Sequence, residues 1–376
     1  HHGGVNMLDI RDLTQYLPEA APLALKPIYP ARRAALQILY ESTDISVDLA
    51  QYLIGASYKD VMSGEADTFD LTLDDRQGLW SGDWYPSKNA QITVNLILIH
   101  WYYDVTTDIN IPLGKFYIDD IGLASGNSGS TVQLNTVSVP DGVARDINNT
   151  RSWEKVQLKV VAQDLANSAS LGLVYDSEDN PTLDRVEQTE EPDLVFLERL
   201  CKDNGLCTKV SDGKIVIFDE AKYDAQDPIA IIDKLALEDM EDYEFHSKVR
   251  DIYTACTVTY QKSKKKEKIS ATFEAPEQNN KLKGTTEKKV LKINQEVADT
   301  AAALRLAKKE LFNKNKEETT GKITLKGRPD LYAGATIMLN NFGVFDGKYV
   351  IREVDVELSG NYVTSLDIRR ALIGYN

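Results

Sequence analysis

The sequence predicts a mainly β protein with an α+β insert: two antiparallel β-barrel domains related by an internal pseudo-repeat, and a smaller α+β domain between them. Three observations lead there. Hydrophobic residues alternate with period two through residues 31–150 and again through 236–376, the spacing of half-buried strands. Over 151–235 apolar residues recur instead at i, i+3, i+4 and i+7, the spacing of one helix face. Two distant segments, Gly114–Asn127 and Gly347–Asn361, follow one pattern. At 376 residues the chain is long enough for two or three domains with cores of their own.

Residues 1–6 read as an expression-tag remnant and Met7 as the native start, so that 1–30 comprises the remnant and an N-terminal extension rich in Ala, Leu and Pro. The strand pattern begins at Ala31. Ala35, Gln37 and Leu39 alternate with Leu36, Ile38 and Tyr40, and Phe69, Leu71 and Leu73 lie opposite Asp70, Thr72 and Asp74. Ile92, Val94, Leu96 and Leu98 form a further run, whose other face turns apolar at Ile97 and Ile99, as for a strand end buried on both sides. Lys115–Leu123 and Thr131–Val139 complete a set of about five or six strands, an antiparallel barrel or sandwich by its short turns.

The pattern changes near Ser152, the expected N-cap of a helix with Leu158, Val161, Ala162 and Leu165 inward. A short strand follows at Leu171–Tyr175. A second helix opens at Pro192, buries Leu194, Leu197 and Cys201, and ends at Gly205. Leu206–Val210 and Lys214–Phe218 flank the hairpin turn Ser211-Asp212-Gly213. Beyond residue 236, Asp251–Tyr260 and Lys268–Phe273 are strands joined by Lys262-Ser263-Lys264-Lys265-Lys266. No aromatic residue interleaves with those lysines, so a solvated hairpin tip is preferred to a nucleic-acid contact. A long helix over 296–314 turns Val297, Leu304, Ala307 and Leu311 inward. It precedes strands at Gly321–Leu325, Ala335–Leu339, Lys348–Val356 and Tyr362–Ile368.

Both repeat segments open Gly-Lys-aromatic and alternate to an isoleucine, Ile118 or Ile351. Each then sets two charged residues together, Asp119-Asp120 or Arg352-Glu353, before alternation resumes on Ile121 and Leu123 or on Val354 and Val356. Two consecutive outward residues mean that the strand slips by one, which is the mark of a β-bulge. A bulge shared at one offset points to two similar β domains in one chain. Three such chains would present six equivalent barrels, a way to match a sixfold object to a threefold one.

Composition excludes several classes. With 58 acidic against 43 basic residues the net charge is −15, which argues against a nucleic-acid binder but allows a passive wall past which a polyanion slides. Cys201, Cys207 and Cys256 cannot make a fully paired disulfide framework, and the C-x5-C spacing without a nearby histidine does not suit a zinc site. Synthesis in a reducing cytosol fits this usage. No stretch reaches the ~20 apolar residues of a membrane helix, so no stable membrane insertion is expected. P-loop, GxGxxG, HExxH and CxxC patterns are absent from the sequence. His100 and His246 have no serine or cysteine in a nucleophile context, and structural roles are expected for both. No catalytic residue, cofactor-binding residue or metal ligand is assigned.

Ser63–Pro86 raises the one question of chemistry. Asp74 and Asp75 are adjacent at a strand end, where side chains point to opposite faces, so they do not readily share a metal, and a turn role is expected. Trp80 and Trp84, spaced i, i+4 with Asp83 between them, either pack the loop onto its own barrel or contact a neighbouring subunit. Since interfaces favour tryptophan, Trp80, Trp84 and Asp83 are the candidate subunit or partner interface. A peptidoglycan hydrolase would use acids such as Asp74 and Glu65, and a carbohydrate-binding module the tryptophans, but nothing in the spacing requires either.

The same stretch, with Ser63-Gly64-Glu65-Ala66-Asp67, Gly78-Leu79-Trp80 and Gly82-Asp83-Trp84, resembles the phage late-control protein D family. These are the tail-hub (baseplate hub) proteins of contractile phages and related injection particles, similar to the hub part of VgrG-type spikes. The resemblance continues through Thr150-Arg151-Ser152-Trp153-Glu154, Val174-Tyr175-Asp176, Glu187-Gln188-Thr189 and Phe196–Cys201. It reaches Phe342-Gly343, Asp346-Gly347-Lys348-Tyr349 and Tyr362-Val363-Thr364, leaving residues 7–30 outside it. It implies two tube-like barrels per chain and a non-enzymatic homotrimer without cofactors. Such a trimer would join a tail tube protein to a separate trimeric spike protein among other baseplate proteins. The chain would sit in a virion tail or a phage-tail-like particle assembled in the bacterial cytoplasm, with no specific grip on DNA passing through its lumen. The end at Asn376, without a Gly/Asp-rich β-helical repeat or a peptidase or lysozyme extension, leads us to expect a spike on another chain.

Overall fold

The computed structural model describes residues 31–101, 108–142, 145–236, 240–262, 267–276 and 289–375. The chain opens with β1 (Arg33–Tyr40), β2 (Thr43–Asp44), the short helix α1 (Ser46–Ala50), β3 (Leu53–Val61), β4 (Thr68–Asp74), β5 (Gln91–Ile99), β6 (Ile109–Gly126) and β7 (Gly129–Val137). Next come β8 (Asn149–Gln157), α2 (Leu158–Ser168), β9 (Gly172–Asp176), β10 (Thr182–Glu191), α3 (Asp193–Asp203), β11 (Cys207–Ser211), β12 (Lys214–Phe218) and α4 (Glu220–Asp224). The remainder is β13 (Ala230–Asp233), β14 (Met240–Ser247), β15 (Ala255–Lys262), β16 (Glu267–Glu274), β17 (Val290–Asn294), α5 (Thr300–Asn315), β18 (Thr319–Lys326), β19 (Thr336–Asn340), β20 (Gly347–Leu358) and β21 (Tyr362–Arg370). The protein is mainly antiparallel β, as its alternation requires.

The pseudo-repeat is realised strand by strand. Spatial order is β3-β4-β7-β6-β5 in the first unit and β14-β18-β21-β20-β19 in the second, so five strands follow the same path in each. The bulge falls where the charged pairs interrupt alternation. On β6 the register slips between Ile118 and Asp120, and on β20 between Ile351 and Glu353. A second shared bulge was not read from the sequence: β3 slips between Leu53 and Gly55, and β14 between Met240 and Asp242. Gly114 and Gly347 stand at the same place in the repeat with φ of +117° and +133°, a region closed to residues with a Cβ. The units differ outside these five strands. β1 lies antiparallel on β5, β13 lies parallel on β19, and a three-stranded sheet β16-β15-β17 covered by α5 is inserted between β14 and β18.

The second half of β20 pairs antiparallel with β3, Glu353 opposite Val61 and Leu358 opposite Ala56, so both units belong to one 13-stranded sheet. Between them in sequence, α2 and α3 pack on the sheet β11-β12-β9 and the ribbon β8-β10 around Leu158, Val161, Leu165, Phe196, Leu197 and Ile217. Trp153 stacks on Phe196 at 5.5 Å. Asp212 and Gly213, both at positive φ, make the two-residue β11–β12 turn.

Three readings need correction. Ser152 is not an N-cap: it pairs with Glu187 inside β8, and α2 starts only at Leu158 because the β8–β10 ribbon keeps its pairing to Gln157. Pro192 is the N-cap of α3 rather than its first residue, and its buried stripe is Phe196, Leu197, Leu200 and Cys201, with Leu194 partly buried. The long helix starts at Thr300, where Asp299 caps it by accepting from Ala302 N at 2.7 Å. Leu304 therefore faces outward at 44% exposure, and Ala303, Leu306, Ala307, Leu311 and Phe312 are buried instead. The lysine-rich link at 263–266 and the N-terminal extension lie outside the described residues.

Candidate functional site

The loop between β4 and β5 is organised by the buried carboxylate of Asp75, which accepts from Trp80 N at 2.7 Å, Ser81 N at 3.2 Å and the Ser81 hydroxyl. Asp74 turns the other way, accepting from Arg76 N at 3.0 Å and Arg76 Nε at 2.8 Å. The hydrogen bonds from the Arg76 side chain hold its carboxyl below the usual range. The pair does not converge. Glu65 precedes the far end of β4, about 20 Å from Asp74 at ~3.3 Å per strand residue, beyond the reach of a glycosidase pair. Trp80 is 7% exposed and belongs to the core of the first unit, whereas Trp84 is 42% exposed, with Asp83 and Tyr85 also exposed beside it. Tyr52 meets both indoles edge-on at 5.9 and 5.7 Å. Of the candidate interface residues, Trp80 thus anchors the loop to its own unit, and Trp84 and Asp83 present its outer side.

Two buried charge clusters join the parts of the chain. Lys209 on β11 bridges Asp60 and Asp67, the latter at 3.1 Å, and Asp60 also accepts from Ala333 N at 2.8 Å. One lysine so ties the first unit, the insert and the β18–β19 loop. Arg369 on β21, fully buried, donates to Glu220 Oε1 at 2.9 Å and Asp224 Oδ1 at 2.7 Å, while Lys316 reaches Glu220 Oε2 at 2.6 Å. Burial alone would push Glu220 up, but Arg369 and Lys316 outweigh it and hold the carboxyl down at about 2. The sequence did not reveal these clusters. Their partners lie up to 273 residues apart, and no local pattern marks them.

Directly opposed residues share a face, and opposite its core face the shared sheet carries polar rows, except around Val350 and Arg369, where that second face is buried as well. Register places Glu244, Lys322, Asp367 and Glu353 in one row and Ser57, Asp70, Asn135 and Asp120 in another. Lys59 bridges Glu353 at 3.1 Å. Asp355 is pushed up to about 6, first by partial desolvation and then by the neighbouring Glu353 carboxyl. Cys201, Cys207 and Cys256 are free thiols, and no group of His, Cys, Asp and Glu suited to a metal occurs among the described residues. His246 is exposed on β14 and hydrogen-bonds Glu244; His100 is half-buried at φ +53° beside buried Trp101.

A duplicated β unit on one continuous sheet with a clamped α+β insert defines the class of fold, and the carboxylates of its β4–β5 loop turn apart. The chain belongs to the phage tail baseplate hub (GPD) family, whose model matches residues 142–362, more than half of its length. It is 23% identical over 384 residues to the "probable baseplate hub protein" of Escherichia phage 186, covering 91% of this chain and 95% of that protein. Its fold matches a tail protein from Neisseria meningitidis MC58 with a TM-score of 0.66 at 15% identity, over 89% of this chain and 96% of the other. It also matches an E. coli type VI secretion component described as similar to T4 tail proteins gp27 and gp5, with a TM-score of 0.51 at 11% identity, over 84% and 73% of the two chains. The resemblance read from the sequence and the mainly β, internally repeated fold are thereby borne out.

Proposed function

We propose that the chain is a non-catalytic homotrimeric adaptor at the tail tip, joining a sixfold tube to a separate threefold spike. The observation that carries this reading is the common strand path with two shared bulges: two equivalent units per chain give six around an axis from three copies. Residues 31–150, 151–235 and 236–376 serve as first tube-like domain, insert and second tube-like domain, and the exposed Trp84 side of the β4–β5 loop meets a neighbouring subunit or baseplate protein. The polar face of the sheet lines the lumen, where its carboxylates repel a passing polyanion rather than hold it. The chain functions in the tail baseplate after assembly in the bacterial cytoplasm. A reconstruction of the tail tip tests this: three copies around the axis are expected, and six copies, or an off-axis position, would overturn it. Asp74→Asn and Asp75→Asn particles that keep their fold should still puncture cells. A specific loss of wall hydrolysis in them would show that the enzyme reading was right.

A further inference from the structure

Within one chain the joint between the two units is the pairing of β20 with β3. The repeat supplies each partner twice. β6 corresponds to β20, and β14 corresponds to β3. Up to the bulge the two long strands are treated alike: Ile118 donates to Ala90 O and accepts from Asn89 N, and Ile351 donates to Ala335 O and accepts from Gly334 N. Beyond the bulge they part. Residues 353–358 of β20 are paired with β3, whereas 119–126 of β6 have no strand on that edge, and β14 pairs only with β18, among the described residues.

Exposure shows what is missing. Val356 on β20 is 7% exposed beside Tyr58, but its counterpart Leu123 on β6 is 63% exposed. Ala56 on β3 is 5% exposed, but its counterpart Tyr243 on β14 is 40% exposed. We propose that the second half of β6 pairs antiparallel with β14 of a second copy, rebuilding the internal joint between chains. Carrying the register over strand by strand sets Leu123 opposite Phe245, Gly122 opposite His246, Ala124 opposite Glu244 and Asp120 opposite Lys248. The charges agree with this register, since small residues face His246 and Glu244, and Asp120 meets a cation. Lys59–Glu353, at 3.1 Å within the chain, has His246 and Asp120 as its counterparts. The contact is head-to-tail, the kind that builds a ring when its rotation closes, and in such a ring every joint between units is alike. Only the number of copies rests on the adaptor reading.

The test is disulfide trapping in tail particles that carry the full chain with Gly122→Cys and His246→Cys. Opposed antiparallel residues sit at ~4.5–5.5 Å between Cα atoms, within disulfide range. Mild oxidation should give covalent dimers and trimers that neither single variant gives, and Leu123→Cys with His246→Cys, one residue out of register, should cross-link at least tenfold less. Should the double variant fail to enter particles, the charge pair serves instead: Asp120→Lys should cut incorporation severalfold, and Lys248→Glu in the same chain should restore it. The hub present on the axis but with no 122–246 cross-link, or with no rescue by Lys248→Glu, overturns the edge pairing and leaves the adaptor standing. Absence of the chain from tail tips of unaltered particles overturns the adaptor itself, and cross-linked oligomers of the purified chain would then still support the edge pairing.

Discussion

Arg369 sits on a strand whose neighbours in sequence give no sign that an arginine will be fully buried. Its two carboxylate partners are satisfied by it, by Lys316, by the Cys207 thiol, which donates to Glu220 at 3.5 Å, and by the backbone N of Leu372, which donates to Asp224 at 2.6 Å. Arg369→Met leaves Glu220 and Asp224 desolvated without their main cation, and is expected to cost about 3–5 kcal/mol in urea unfolding. The pH dependence has a definite sign. Glu220 is held at about 2 against an ordinary 4.5, so its contribution is fully present above about 4.5 and is lost as pH falls towards 2; the variant should show a flatter acid limb. Trp80→Ala, opening a core cavity, should cost about 3–5 kcal/mol. Trp84→Ala, at the surface, should fall within about 1 kcal/mol in the isolated chain. The two indoles stand out in the sequence, but which one is buried does not. Asp75 decides that by gripping Trp80 N and Ser81 N, a geometry that exists only once β4 has ended.

At the level of the element, what could be read from sequence followed from how local each signal was. The bulges at Asp119 and Arg352 were legible because two adjacent charged residues interrupt alternation on the strand itself. The bulges in β3 and β14 were not, since Ile54 and Glu241 do not break any local pattern in the same way. Ser152 and Leu304 were misread because a ribbon partner and a cap at Asp299, not periodicity, set where α2 and α5 begin. The carboxylate pair on β20 gives a second test. Asp355 is raised from 3.8 to about 6, so the folded state holds a proton that the unfolded chain has released, and stability falls as pH rises from about 4 to about 6. Asp355→Asn should remove that slope and raise stability above pH 6 by no more than about 1 kcal/mol after solvent screening, measured by thermal unfolding across the window.

For the whole molecule, the joint between β3 and β20 is also a constraint in time. The strand that completes β3 is made roughly 290 residues after it, so at ~5–20 residues per second a ribosome exposes the bare edge of β3 for about 15–60 s. An open edge of that duration invites mispairing with other nascent chains on the same message. Lys59, in the middle of β3, and the bulge at Ile54 are the kind of charge and distortion that discourage such mispairing. Lys59→Val should therefore lower the soluble yield from cells more than it lowers the unfolding free energy of whatever folds, and slowing translation should widen that gap.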